Sequence, residues 1–232
     1  MKTAIIIGGT GGIGRAISQM LSKEFSIAVS GLRQEEVDKV LSELGHGYWG
    51  RAFDATSSKD VNTFIAQVKE RYGSVDVLVN SQGLFVEGAI ETMTDEQWKK
   101  IMEVNLSSVF YSCRAVVPIM KQQGSGFIIN ISSIAGEVGF PNETLYVSSK
   151  FAVNGLSEAL YKELKQYNIR VTALCPGLVD TPLARQGFDL SEDQWKEALA
   201  PIDVARVVYN LVTMPATTQF ISKITIDPKL TF

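Results

Sequence analysis

Tyr146 and Lys150 are four residues apart, so a helix through them places a phenol and an ammonium on one face. A phenol with a pKa of ~10 is a poor base at neutral pH. A neighbouring cation favours the phenolate, and a fall of about two to three pKa units takes roughly 3–4 kcal/mol. Ser133 stands thirteen residues before Tyr146, and its hydroxyl can hold a carbonyl or alcohol oxygen. His46 is the chain's one histidine, so acid–base chemistry falls to other residue types. A Tyr-x-x-x-Lys pair alone is usually a plain helix surface, and only its setting makes it a candidate pair.

A second cluster opens the chain. An apolar run over residues 3–7 leads into Gly8-Gly9-Thr10-Gly11-Gly12-Ile13-Gly14-Arg15, and residues 16–21 continue with helical character. Glycine permits a tight turn and a close approach of backbone to phosphate. The following helix N-terminus offers free N–H groups and a positive dipole end. Strand, glycine loop and helix in that order point to a dinucleotide site rather than an empty turn. The glycines at 8, 12 and 14 follow Gly-x-x-x-Gly-x-Gly. That differs from Gly-x-Gly-x-x-Gly, and no Gly-Lys-Ser/Thr follows to make a Walker A.

The choice of dinucleotide should be written at the end of the second strand, Ser30-Gly31-Leu32-Arg33. An NAD site commonly sets Asp or Glu about 20 residues on, against the ribose 2′-OH. No acid ends this strand. Arg33, 19 residues after Gly14, suits a 2′-phosphate by charge and shape, with Arg15 and Ser30 as secondary candidates. The reading is NADP(H) in preference to NAD(H).

Both clusters need elements to hold them. Apolar or β-branched runs fall at residues 3–7, 26–31, 48–53, 75–79, 126–132, 169–174 and 219–226, mostly separated by amphipathic stretches. Val37, Val40, Leu41 and Leu44 lie at helical spacing, as do Val61, Phe64, Ile65 and Val68. Runs such as 75–80 and 127–131 are too continuously apolar for half-exposed strands and suit a parallel sheet covered on both faces. The alternation predicts an α/β fold, a doubly wound Rossmann sandwich. Seven such runs predict a parallel seven-stranded sheet with helices on both faces, and right-handed crossovers leave few alternatives for its topology. Ligands in such sheets bind beyond the carboxyl ends of the strands, where both clusters fall. No linker or repeat divides the chain, so residues 1–232 read as a single domain.

Composition narrows the partners. Hydrophobic residues make up 45% and charged residues 20%, which excludes a disordered or collagen-like chain. A net charge of −3 argues against a nucleic-acid surface. Cys113 and Cys175 cannot form a disulfide framework, so a cytoplasmic location is expected. One histidine and no CxxC exclude the common metal sites, so no metal is expected. The opening apolar run is too short for a secretory core, and none approaches the ~18 residues that span a bilayer, so no membrane role is expected.

Gly8, Gly12, Gly14, Asn80, Gly83, Asn105, Ser133, Tyr146, Lys150 and Pro176-Gly177 occur in one order, and that set resembles the short-chain dehydrogenase/reductase family. The resemblance covers essentially the whole chain, most clearly to about residue 182. The Ser133–Tyr146 spacing and the run Tyr146-Val147-Ser148-Ser149-Lys150 are its most specific parts. It implies the sheet order 3-2-1-4-5-6-7 and an oxidoreductase moving hydride between NADP(H) and a ketone or secondary alcohol. Tyr146 would be the general acid in reduction and the base in oxidation. Lys150 would lower its pKa and hold the nicotinamide ribose. Ser133 would orient the reacting oxygen, and Asn105 would anchor a water behind Lys150. Gly8, Thr10, Gly12, Ile13 and Gly14 would hold the cofactor phosphates, with Asp54 and Ala55 at the adenine. Asn80 and Gly83 would line the ribose. Pro176, Gly177, Leu178, Val179 and Thr181 would face the nicotinamide and pyrophosphate.

Some positions depart from the family pattern. Ile7 replaces the usual Thr, Ser81-Gln82 interrupts the usual Asn-Asn-Ala-Gly, and Ile226-Asp227-Pro228-Lys229 replaces a common Asp-Gly-Gly. Gln82 is bulkier than Ala beside the cofactor. Residues 182–201 correspond to the substrate loop and carry Leu183, Phe188, Leu190 and Trp195. Phe85, Val138, Phe140 and Leu178 are further candidate wall residues. The implied substrate is a moderately apolar, uncharged carbonyl or secondary alcohol, which makes a carbonyl reductase. A 3-oxoacyl (acyl-carrier-protein or CoA) reductase is the alternative, weakened by thin basic loops at Lys121 and Lys165. A non-catalytic dinucleotide-binding sensor would usually have lost Tyr or Lys. Helices over about 105–122 and 144–167, rich in small and apolar residues, imply a homodimer or homotetramer.

Overall fold

The computed structural model describes residues 1–215 and 220–229. Its strands are β1 (Lys2–Ile7), β2 (Phe25–Gly31), β3 (Trp49–Ala52), β4 (Val77–Asn80), β5 (Gly126–Ile131), β6 (Ile169–Pro176) and β7 (Lys223–Ile226). They form one parallel sheet in the order β3-β2-β1-β4-β5-β6-β7, as expected. The strand expected at 219–226 is seen over Lys223–Ile226, and residue 219 lies outside the described residues.

Side chains alternate across each strand and so build two cores. Ile6, Val29, Val79 and Ile129 face one layer, which contains α1 (Gly12–Leu21), α2 (Gln34–Leu44) and, late in the chain, a helix over Pro201–Thr213. Ile5, Ile7, Ala28, Leu78 and Ile128 face the other layer. That layer holds α3 (Ser58–Tyr72), α5 (Ser108–Gln123) and α6 (Thr144–Leu164), with α4 (Asp95–Met102) leading into α5. Each fully buried Ile contributes about 1.5–3 kcal/mol relative to exposure, which is why these runs specify a covered sheet.

The substrate-loop segment contains two short helices, α7 (Pro182–Gly187) and α8 (Glu192–Trp195), before α9 (Pro201–Thr213). Thr181 caps α7 and Pro182 opens it, while Ser191 and Gln194 form a capping box on α8. The helix expected from residue 105 begins at Ser108 instead. Residues Glu103–Ser107 form a wider π-type turn between α4 and α5, with Asn105 buried inside it. Such turns interrupt a helix where a side chain is needed at an unusual angle.

Candidate active site

The β1–α1 loop is seated by its glycines. Gly8 has φ 74°, and a Cβ there would lie 2.6 Å from the Gln82 backbone nitrogen. A Cβ at Gly14 would meet the Gly8 carbonyl at 2.3 Å, and one at Gly12 would meet Thr181 Cγ2 at 2.8 Å. The loop can lie this close to the β4 exit and to Thr181 only without side chains. No side chain caps α1, so its first N–H groups are left for a ligand. A glycine cradle beneath an uncapped helix N-terminus fits a dinucleotide pyrophosphate.

The second wall comes from β5 and α6. Strand β5 ends at Ile131, and a turn carries Ser132 and Ser133 onto α6. Gly136 makes that docking possible, because a Cβ there would lie 2.8 Å from the Lys150 carbonyl. Asn154 Nδ2 donates to the Gly136 carbonyl at 2.8 Å and fixes the turn. Ser133 Oγ accepts from Ala135 N at 3.1 Å, and its hydroxyl reaches the Tyr146 phenol. Lys150 Nζ donates to the Ile131 carbonyl at 3.1 Å and lies 5.5 Å from the Tyr146 ring centre. Asn105 clamps the loop after β4. Its Oδ1 accepts from Leu84 N at 2.7 Å, and its Nδ2 donates to the Leu84 carbonyl and to Ser149 Oγ, each at 2.9 Å.

Burial sets the charges here. It pushes the Tyr146 phenol up to about 12, partly opposed by the Ser133 hydrogen bond and reinforced by the charge of Glu143. Burial also pulls the Lys150 ammonium down to about 8. The expected lowering of the Tyr146 pKa belongs to Lys150 together with a bound dinucleotide, and burial acts in the opposite direction. Desolvation is the largest influence on the phenol, and Tyr146 holds its proton at neutral pH.

These walls enclose a cleft of about 1030 Å³ at the carboxyl ends of the strands. Thr10, Gly12, Ile13, Gly83, Ser133, Tyr146, Lys150, Pro176, Gly177, Val179 and Thr181 line it, as do Phe85, Phe140, Leu178, Leu183 and Phe188. Phe85 meets Tyr146 edge-on at 5.0 Å and stacks on Phe188 at 5.4 Å. Gly8, Gly14 and Asn105 shape the walls from behind without lining them.

Several expected contacts fall elsewhere. Asn80 shares the Leu78 side of the sheet, so its amide enters the α5 layer. Its Nδ2 donates to Asn130 Oδ1 at 2.8 Å and its Oδ1 accepts from Ser112 at 2.6 Å. Gln82 takes the place beside the cleft, donating to Ser108 Oγ at 2.9 Å. Asp54 is exposed outside the cleft and accepts from the Thr56 N–H and hydroxyl, which hold its carboxyl below the usual range. Ala55 packs against the α3-side core. Arg33 also lies off the lining, 66% exposed and ion-paired with Glu36 and with Glu35 at 3.7 Å. Val138 is exposed outside the cleft, and Trp195 is buried beneath Arg185. Two acidic lining residues were not singled out from sequence, Glu36 and Glu143. Glu36 is 22 residues after Gly14 and Glu143 three before Tyr146, so spacing alone carried a signal for each.

The comparisons agree with this geometry. The family model for short chain dehydrogenase matches residues 2–191. A 3alpha-hydroxysteroid dehydrogenase of Mediterraneibacter gnavus is 37% identical, over 89% of this chain and 84% of that protein. A 3-oxoacyl-[acyl-carrier-protein] reductase of Thermotoga maritima is 33% identical over 88% of this chain and 84% of its own length. The crystal structure of a variant actinorhodin polyketide ketoreductase with NADPH superposes with a TM-score of 0.89 at 32% identity, covering 97% of this chain and 95% of that one. The chain belongs to the short-chain dehydrogenase family, whose members are oxidoreductases that bind a nicotinamide dinucleotide.

Proposed function

We propose that this protein is an NADP(H)-dependent carbonyl reductase that reduces a ketone to a secondary alcohol. The observation that carries the reading is the meeting of Ser133, Tyr146 and Lys150 on one wall of a cleft whose other wall is the uncapped α1 N-terminus. A bound nicotinamide dinucleotide supplies the hydride. Ser133 holds the substrate oxygen beside the phenol, and Tyr146 donates its proton to that oxygen. Lys150 stands behind Tyr146 as the cation that favours the phenolate left after transfer. Asn105 positions the loop that carries Gly83 and Leu84. Phe85, Phe140 and Phe188 exclude water from the reacting groups. Reduction of a panel of diketones and aromatic ketones, lost in Tyr146→Phe, tests this. Dinucleotide binding with no turnover of any ketone would favour a sensor instead.

Arg33 supports NADP(H), since it closes β2 where no acid stands, and the ketoreductase above was crystallised with NADPH. Glu36 in the cleft lining favours a second reading, NAD(H) held through its ribose hydroxyls. Parallel titrations of NADPH and NADH separate the two. The acyl-carrier-protein reductase among the relatives keeps a 3-oxoacyl substrate as the alternative, tested with a ketoacyl thioester. Exposed Phe110 on α5 and Phe151 on α6 support self-association through those helices. A concentration-independent monomer by light scattering would count against it. Two buried free thiols suit a reducing cytoplasm.

A further inference from the structure

Among the described residues, the substrate end of the cleft carries one acid, Glu143, beside the Ser133 and Tyr146 hydroxyls. Among the described residues, four charged ones line the cleft: Arg15, Glu36, Glu143 and Lys150. Arg15 and Glu36 belong to the α1–α2 end, and Lys150 is held on the Ile131 carbonyl. Glu143 is the residue before α6, one helical turn ahead of Tyr146 and close enough to act on its phenol. Around it the lining is Phe85, Phe140, Pro141 and Phe188.

Among the described residues, no hydrogen bond or ion pair reaches the Glu143 carboxyl group. The charge that acts on it is another acid, Glu87. The Gly88 N–H donates to the Asn142 carbonyl at 2.7 Å and pins the loop after β4 to the loop before α6. That bond keeps exposed Glu87 beside half-buried Glu143. Burial, with the charge of Glu87 adding to it, pushes the Glu143 carboxyl up to about 7. A half-buried carboxyl on the cleft wall can take a charge-assisted hydrogen bond from a ligand carrying a cationic donor. An anionic substrate group would meet repulsion from both acids.

We propose that Glu143 is the substrate-recognising residue of this cleft, and that the substrate class is a carbonyl compound, or its alcohol, carrying a protonated amine. This rests on the reductase reading above and sharpens it. The oxygen sits at Ser133 and Tyr146, the apolar body lies among the phenylalanines, and the ammonium donates to Glu143.

The first test is calorimetric titration of the NADP-saturated protein with benzylamine and with benzyl alcohol, which match in shape and differ in charge. Benzylamine is expected to bind about tenfold tighter or better, and Glu143→Gln, nearly isosteric, is expected to bring the two within about twofold. Equal affinities in the wild type overturn the proposal, and so does an amine preference that survives Glu143→Gln. The second test compares turnover of β-dimethylaminopropiophenone with that of its all-carbon isostere. A lower KM for the amine, lost in Glu143→Gln, supports the proposal. Turnover of both ketones with equal KM overturns the Glu143 proposal and leaves the reductase reading intact. No turnover of either ketone, with the benzylamine preference present and dependent on Glu143, overturns the reductase reading and leaves the recognition site standing.

Discussion

The two ends of the cleft are built on opposite principles. At the Tyr146 end Lys150, Asn105 and the Ser133 turn are held by buried neighbours. Lys150 is 4% exposed and bonded to a strand carbonyl, Asn105 is 1% exposed and bonded three times, and the Ser133 turn is locked on α6 through Gly136. At the α2 end the charges are on the surface. Arg33 pairs with Glu36, Arg15 with Glu43, and Asp54 caps its own turn. Exposed pairs are worth about 0–1 kcal/mol and can exchange partners, whereas stripping a buried group of its partner costs about 1–3 kcal/mol or more. Chemistry is thus assigned to the rigid end, and cofactor choice to an end whose charges can be re-paired.

The largest effect belongs to the rigid end. Tyr146→Phe should lower kcat for ketone reduction by about 10²–10⁴-fold while NADPH still binds, as measured by initial rates and fluorescence titration. Loss of NADPH binding in that variant would break the separation between the two ends. Next is pH. Lys150 has its pKa lowered to about 8 and Tyr146 has its raised to about 12, so below pH 8 both carry their protons. As pH rises through about 8 the ammonium is lost before the phenol ionises. For an uncharged ketone the profile of kcat/KM for reduction should be level between about pH 7, where the Glu143 carboxyl titrates, and about pH 8. Above it the profile should fall by about tenfold per pH unit. A flat profile to pH 10 would remove Lys150 from the chemistry.

Smaller effects are expected at the exposed end. Arg33→Ala should weaken NADPH binding by about tenfold, or ~1.4 kcal/mol, with little change for NADH. Glu36→Gln should act in the opposite direction, since it frees Arg33 for a phosphate and removes a negative charge from the lining. NADH affinity falling in Glu36→Gln, with NADPH unchanged, would give that end to the NAD(H) reading. The smallest effect is on stability. Arg15→Ala removes one surface pair with Glu43 and should shift unfolding in urea by less than ~1 kcal/mol. A larger loss would mean that this end too is held by fixed contacts.

Much of this was legible from residue pattern. The seven strands and the two helical layers follow from continuous apolar runs separated by amphipathic ones, whereas the order of the strands goes with the family resemblance. The glycine loop and the Ser133, Tyr146 and Lys150 spacing mark the site, because each motif directly follows a strand or occupies one helix face. Asn80 obeys the strand period. It alternates in step with Leu78, so the two-residue period already assigned it to the α5 face. Gln82 enters the cleft beside it because the chain turns at the strand end and the alternation stops.

Local pattern determined which residues are buried, which element each belongs to and which groups carry the chemistry, because burial and helix or strand geometry depend on near neighbours in the chain. Tertiary structure decided the rest. The approach of Gly136 to Lys150, the seating of Gly8 on Gln82, the phenol raised rather than lowered, and the unpaired Glu143 beside Glu87 all depend on segments brought together from separate parts of the chain. Distances across a cleft and the desolvation within it arise only when two surfaces meet, and no local period encodes them.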